Sequence, residues 1–149
     1  MATIQLAPDF KDFLRLLNTH RVEYLLIGGY AVGYHGYPRA TADLDIWVAV
    51  SPENAARLLA ALREFGFAGQ GLTVNDLLQE RRVLRMGVPP LRIEVLTTIS
   101  GVEFGQCYQQ RIVDVIDGIE VNIIKSEDLK QNKRAAARHK DLGDLEHLP

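Results

Sequence analysis

Apolar residues at Leu6, Phe10, Phe13, Leu14 and Leu17 recur at helical spacing, which predicts an amphipathic first helix over Leu6–Leu17 and a turn at Asn18–Arg21. Val22–Ile27 is a short apolar run with β-branched members and reads as a buried strand; Gly28-Gly29 interrupts it, and a short helix is expected from Tyr30 to about His35. Gly36-Tyr37-Pro38 ends that helix and Leu44–Val50 forms the next strand. Ser51-Pro52-Glu53 sets a capping residue before proline at the first helical position, opening a helix that runs to about Phe65 and stops at Gly66. The middle is weakly patterned: Leu72–Leu78 suits a helix, Arg82–Met86 a strand and Gly87–Pro90 a turn. Leu91–Leu96 alternates in character and is read as a strand, Val102–Gln110 as a helix, and Arg111–Val115, Asp117-Gly118 and Ile119–Ile124 as a hairpin. Ser126 is expected to cap a final helical region, with Glu127 and Asp128 in its first turn where the helix dipole favours acids.

This order of elements implies an α/β fold with one mixed sheet flanked by helices. With 149 residues the chain is expected to form a single domain over 1–149, an α/β core at 1–124 followed by a helical segment at 125–149. No apolar run approaches the ~20 residues of a membrane span, and Met1–Gln5 lacks the features of an export signal, so a cytoplasmic protein is expected. Cys107 is the only cysteine, which removes disulfides and thiolate zinc sites and leaves it as a small buried hydrophobe. The net charge of −2 argues against broad binding to duplex nucleic acid. Lys125–Lys140 nevertheless gathers six basic residues against two acidic ones, a pattern that a solvated helix face also explains.

Asp43 and Asp45 are two apart at the start of a predicted strand and so share one face, while Leu44, Ile46 and Val48 supply the other. Two convergent carboxylates repel unless a cation joins them, and Mg²⁺ favours hard oxygen ligands shared with substrate phosphates. Taken alone, Asp-x-Asp is also what a solvated strand end looks like. Gly28-Gly29, between a strand and a helix, lets backbone N–H groups approach phosphate oxygens, or simply makes a tight turn. Glu94 lies inside an otherwise apolar strand, where an acid needs a cleft or a partner; Arg92, two residues away on the same face, is the alternative partner. Trp47 shares a face with Asp45 but reads as core, and His35 and His139 read as structural.

Leu25-Leu26-Ile27-Gly28-Gly29-Tyr30-Ala31-Val32, followed by Arg39-Ala40-Thr41-Ala42-Asp43-Leu44-Asp45-Ile46, resembles the signature of the DNA polymerase beta type nucleotidyltransferase superfamily. Within it the chain is most similar to small nucleotidyltransferases related to abortive-infection (type IV toxin) proteins, whose closing segment is matched by Asp128-Leu129, Lys133, Arg134, Arg138, Lys140, Asp141-Leu142 and Asp144-Leu145. The resemblance implies a polymerase beta palm-like fold with C-terminal helices and an enzyme that moves a nucleoside monophosphate from an NTP to an acceptor hydroxyl. It implies Asp43, Asp45 and Glu94 as catalytic acids and ligands of two Mg²⁺ (or Mn²⁺) ions, with Glu94 as base, and Gly28 and Gly29 as the triphosphate seat. Arg39, Thr41, Lys133 and Arg138 are the further nucleotide contacts, and Asp141 orients a neighbouring cation; ion pairing at the surface explains Arg39, and along the helices Lys133, Arg138 and Asp141, equally well. The acceptor is left open among tRNA, protein and a hydroxylated small molecule, and an antitoxin-like protein partner fits the same resemblance.

Two other classes compete. A non-catalytic nucleotide-binding or partner module would keep the fold without the chemistry, and intact acids at 43, 45 and 94 weigh against it. An RNA-end-binding protein is supported only by the basic C-terminal segment.

Overall fold

The computed structural model describes residues 4–67, 71–87 and 90–149. Met1–Thr3 of the N-terminal segment and two residues of the turn expected at Gly87–Pro90 lie outside these. Helix α1 (Pro8–Thr19) leads to β1 (Tyr24–Ile27), α2 (Gly28–Tyr34), β2 (Asp43–Val48) and α3 (Pro52–Glu64). A 3-10 turn at Val74–Leu78 precedes β3 (Val83–Met86) and β4 (Arg92–Leu96), and then α4 (Phe104–Gln109), β5 (Ile112–Ile116) and β6 (Ile119–Ile123) follow. Two helices, α5 (Ser126–Ala136) and α6 (His139–His147), close the chain.

The six strands form the one mixed sheet that the sequence predicts, in the order β3-β4-β2-β1-β6-β5. β2 runs parallel to β4 and β1 parallel to β6, while the remaining neighbours are antiparallel. Strand alternation assigns the faces: Leu44, Ile46, Val48, Ile93, Val95, Leu84 and Met86 are buried, whereas Asp43, Asp45, Arg92 and Glu94 between them are only partly covered. The sheet therefore has a dry side that holds the core and, at the start of β2 and β4, an open side that carries charge.

Local chemistry explains most element ends. Ser51 Oγ accepts the Asn54 N–H at 3.1 Å with Pro52 at the first helical position, the expected start of α3. Asn54 itself is buried and saturates its amide on Glu23 N–H, Glu23 C=O and Ala49 C=O, tying α3 to the ends of β1 and β2. The weakly patterned Leu72–Leu78 becomes a 3-10 turn because Thr73 and Asp76 form a reciprocal capping box around too few residues for an α-helix. The expected helix at Val102–Gln110 is real but shorter.

Two expectations need correction. α2 starts at Gly28 rather than Tyr30, so the glycine pair belongs to the first turn of the helix, with Gly28 at φ +67°. Ser126 does not cap α5: the Lys125 carbonyl already accepts the Leu129 N–H at 2.9 Å, which makes Lys125 the capping residue and Ser126 the first helical one.

Candidate active site

The open side of the sheet sets charged residues in adjacent rows. Parallel pairing of β2 and β4 places Asp43 beside Arg92 and Asp45 beside Glu94, and antiparallel pairing of β3 places Arg85 beside Glu94. Arg92 Nε accordingly meets Asp43 at 3.5 Å, and Arg85 Nε meets Glu94 at 3.2 Å. The alternative partner expected for Glu94, Arg92, is thus replaced by Arg85, because directly opposed residues on neighbouring strands stand closer than residues two apart on one strand.

Asp45 occupies the most enclosed position of the three acids. Burial, then the charges of Glu94 and Asp43, push its carboxyl up to about 6, with Lys140 pulling the other way. Glu94 stands directly opposite Asp45 in the β2–β4 pairing, so each carboxylate raises the cost of ionising its neighbour. Gly28 explains how the helix start comes so near: a Cβ there would overlap the Asp45 carboxylate, and its positive φ is one that side-chain-bearing residues rarely adopt. Gly29 approaches the loop before β2 just as closely, since a Cβ there would stand 2.7 Å from Thr41 Oγ1. A bulky residue at Gly29 would therefore displace Thr41 as well as shield the backbone, so loss of binding in Gly29→Val would not by itself identify a phosphate contact.

A cleft of about 380 Å³ opens over two of the acids, lined by Gly28, Asp45 and Glu94 on one side and by Asn132, Lys133, Arg138 and Lys140 on the other; Asp43, paired with Arg92, is not in its lining. The cations differ in what they have left to give. Lys133 is buried, with Nζ 2.8 Å from Asp144 and 3.3 Å from Asp141, both of which are buried too. Arg138 holds Asp141 through its side chain and backbone N–H, and Arg39 grips Asp144 with two bonds of 2.8 and 3.0 Å. Burial alone would raise Asp141 and Asp144, but the bonds from Arg138, Arg39 and Lys133 outweigh it and hold both carboxyls below their usual range. Arg39, Lys133 and Arg138, expected as nucleotide contacts, are members of one alternating charge network. Among the described residues Lys140 is the cleft cation with no carboxylate within ion-pair distance.

The residues set aside by sequence reasoning fall where it placed them. Trp47 is buried, edge-on to Phe104, with its Nε1–H directed to the Thr97 carbonyl. His35 Nε2 bonds to the Ile124 carbonyl at 2.7 Å, which requires it to be the donor. Cys107 is buried, and burial together with Asp128 pushes its thiol up to about 12, far from a nucleophile. Sequence reasoning missed Arg85 as the partner of Glu94 and the polar cleft wall at Thr98, Ser100 and Asn132.

The donor set suits a hard divalent cation: carboxylate oxygens only, crowded until Asp45 resists ionisation, beside a backbone free of Cβ atoms. Among the described residues no three acidic, histidine or cysteine side chains converge as they stand on a metal-holding position. Arg92 and Arg85 draw Asp43 and Glu94 aside, and both arginines are exposed enough for these pairs to exchange at little cost.

No protein-family model and no curated protein matches the chain. Solved structures do. A protein from Thermotoga maritima named as a candidate nucleotidyltransferase superposes with a TM-score of 0.61 at 14% identity, covering 95% of this chain and 93% of that one. An antigenic nucleotidyltransferase-like protein from Paracoccidioides brasiliensis superposes with a TM-score of 0.56 at 18% identity, covering 93% and 73%. At these identities the likeness is one of fold: the chain has a nucleotidyltransferase-like architecture over nearly its whole length.

Proposed function

We propose that the protein is a metal-dependent nucleotidyltransferase that moves a nucleoside monophosphate from an NTP to an acceptor hydroxyl. The observation that carries this reading is the row of Asp43, Asp45 and Glu94 across β2 and β4, beside a Cβ-free helix start and beneath a cationic cleft wall. Gly28 offers its backbone to the triphosphate from the cleft wall, with Gly29 following it in the helix start, and Lys140 faces the same cleft with its charge uncommitted. In the reaction the acceptor oxygen forms a bond to the α-phosphorus as the bond to the bridging oxygen breaks; pyrophosphate leaves, and the hydroxyl proton passes to the carboxylate cluster. Asp43, Asp45 and Glu94 would hold the divalent ions, which when bound neutralise charge on the phosphates. Lys133, Arg138 and Arg39 act at one remove by fixing the cleft wall and the loop before Asp43.

Incubation with each α-labelled NTP, Mg²⁺ and fractionated cell extract tests the reading. Label fixed to one fraction by wild type and not by Asp45→Asn is the expected result, and absence of NTP binding by wild type in the presence of Mg²⁺ or Mn²⁺ overturns it. A second reading, a non-catalytic nucleotide-binding module, draws support from the arginines that already neutralise Asp43 and Glu94. It predicts NTP binding without label transfer to any fraction.

A further inference from the structure

A second cavity of about 640 Å³ has Gly29 and Thr41 in its lining, where the preceding glycine, Gly28, lines the cleft. It runs along the outer face of α2, between that helix and the loop that leads to Asp43. Tyr30, Gly33, Tyr34 and Pro38 form its body and Gly29 and Thr41 its inner end. The walls are already set: Tyr30 packs edge-on against Phe10, and the Tyr34 hydroxyl donates to Asp114. The size lies within the range of small-molecule sites, and the lining is mainly apolar.

The lining is also electrically quiet. Among the described residues Arg39 is the one Lys or Arg in the lining, and it is clamped by Asp144, while His35 is held by the Ile124 carbonyl. Among the described residues neither aspartate nor glutamate lines the cavity. A phosphate chain finds no free cation in it and a polycation finds no acid. What complements it is a neutral, flat group that can lie against two tyrosine rings one helical turn apart.

In-line displacement then fixes which substrate this is. The attacking oxygen and the leaving pyrophosphate stand on opposite sides of the α-phosphorus. Lys140, the uncommitted cation that suits pyrophosphate, lines the cleft with Gly28, whereas the neutral groove begins at Gly29. We propose that this groove is the acceptor subsite and that it receives a neutral aromatic portion of the acceptor, leaving the acceptor's hydroxyl at the Gly29–Thr41 end. The inference rests on the transfer reading above and narrows it, since a polycationic aminoglycoside does not fit such walls.

Gly33 supplies the test, because a Cβ there meets nothing within 4 Å while the residue lines the groove. Gly33→Trp should fill the groove without disturbing the fold. The neutral probe is 4-methylphenol, followed by saturation-transfer NMR, alongside NTP affinity by calorimetry with Mg²⁺, label transfer into extract, and the melting temperature. Expected are probe binding to wild type that is lost in Gly33→Trp, unchanged NTP affinity and melting, and label transfer lower by on the order of 100-fold. Weakened NTP affinity in the variant would make the groove the nucleotide's own base site and overturn the proposal, as would full transfer with the groove filled. If Gly33→Trp melts lower, Gly33→Leu carries the same comparison. Failure of wild type to bind any NTP is a separate outcome, which defeats the transfer reading itself.

Discussion

Replacing Asp45 by Asn should make the metal-free protein more stable at neutral pH. The Asp45 carboxyl moves from 3.8 in the unfolded chain to about 6 in the fold, because it is enclosed and faces Glu94 and Asp43. A folded pKa above the unfolded value means that the folded state binds the proton more tightly, so stability is lost as pH rises from about 4 to 6 and stays lost above that. Two pKa units correspond to about 3 kcal/mol at most, and partial solvent access reduces this to about 1–3 kcal/mol. Asn keeps the shape without the charge. In EDTA at pH 7.5 Asp45→Asn should therefore melt roughly 3–9 °C above wild type, and at pH 4 the two should melt together. Mg²⁺ should raise the wild-type midpoint and leave the variant unmoved, since a ligand stabilises only the fold that binds it. A variant that melts at or below wild type at pH 7.5 without metal would show that the acid cluster carries no stored repulsion.

Lys133→Met should cost about 3 kcal/mol in urea unfolding, because it strips the buried cation from between Asp141 and Asp144; a loss under about 1 kcal/mol would mean that these charges are wetter than their burial implies. Ala137, at φ +53° between α5 and α6, holds a left-handed conformation that glycine adopts without strain, so Ala137→Gly should gain about 0.5–1 kcal/mol, and a clear loss would refute the strain. Glu94→Gln breaks a pair whose Arg85 partner is largely exposed, so its midpoint should shift by less than about 1 kcal/mol while label transfer falls by orders of magnitude; an active but destabilised variant would reduce Glu94 to an ion-pair member.

What the sequence made legible was local. Alternation in Asp43–Val48 and Arg92–Leu96 revealed both the strands and the acids on their open side, because strand periodicity is written into consecutive residues. Ser51-Pro52 marked a helix start for the same reason. What it concealed depends on register between distant segments. Arg85 meets Glu94 only because β3 and β4 pair where they do, and Arg39 meets Asp144 across 105 positions of sequence. The neutral groove was hidden differently: Tyr30 and Tyr34 follow helical spacing and would be read as core, and they become walls of a cavity through the way Ile4, Gln5 and the loop at Pro38–Thr41 pass α2, which no local pattern records.

The charge network changes what the C-terminal segment is for. The stretch between α2 and β2 forms neither helix nor strand apart from a short turn, yet it must carry Thr41 and lead into Asp43 at the start of β2. Its fixed points come largely from the end of the chain: Arg39 is clamped by Asp144, Tyr37 stacks on His147 at 4.3 Å, and Gly36 lies against Pro149. Asp144 is in turn held by Lys133 of α5, whose neighbours Asn132 and Ala136 line the cleft. The same aspartate thus sets the position of the cationic wall and of the loop that ends in the first acid. A division into an α/β core and a helical appendage understates this arrangement, because the geometry of the acid cluster depends on ion pairs formed by residues 126–147, and changes made there should register at Asp43 before they register in the sheet.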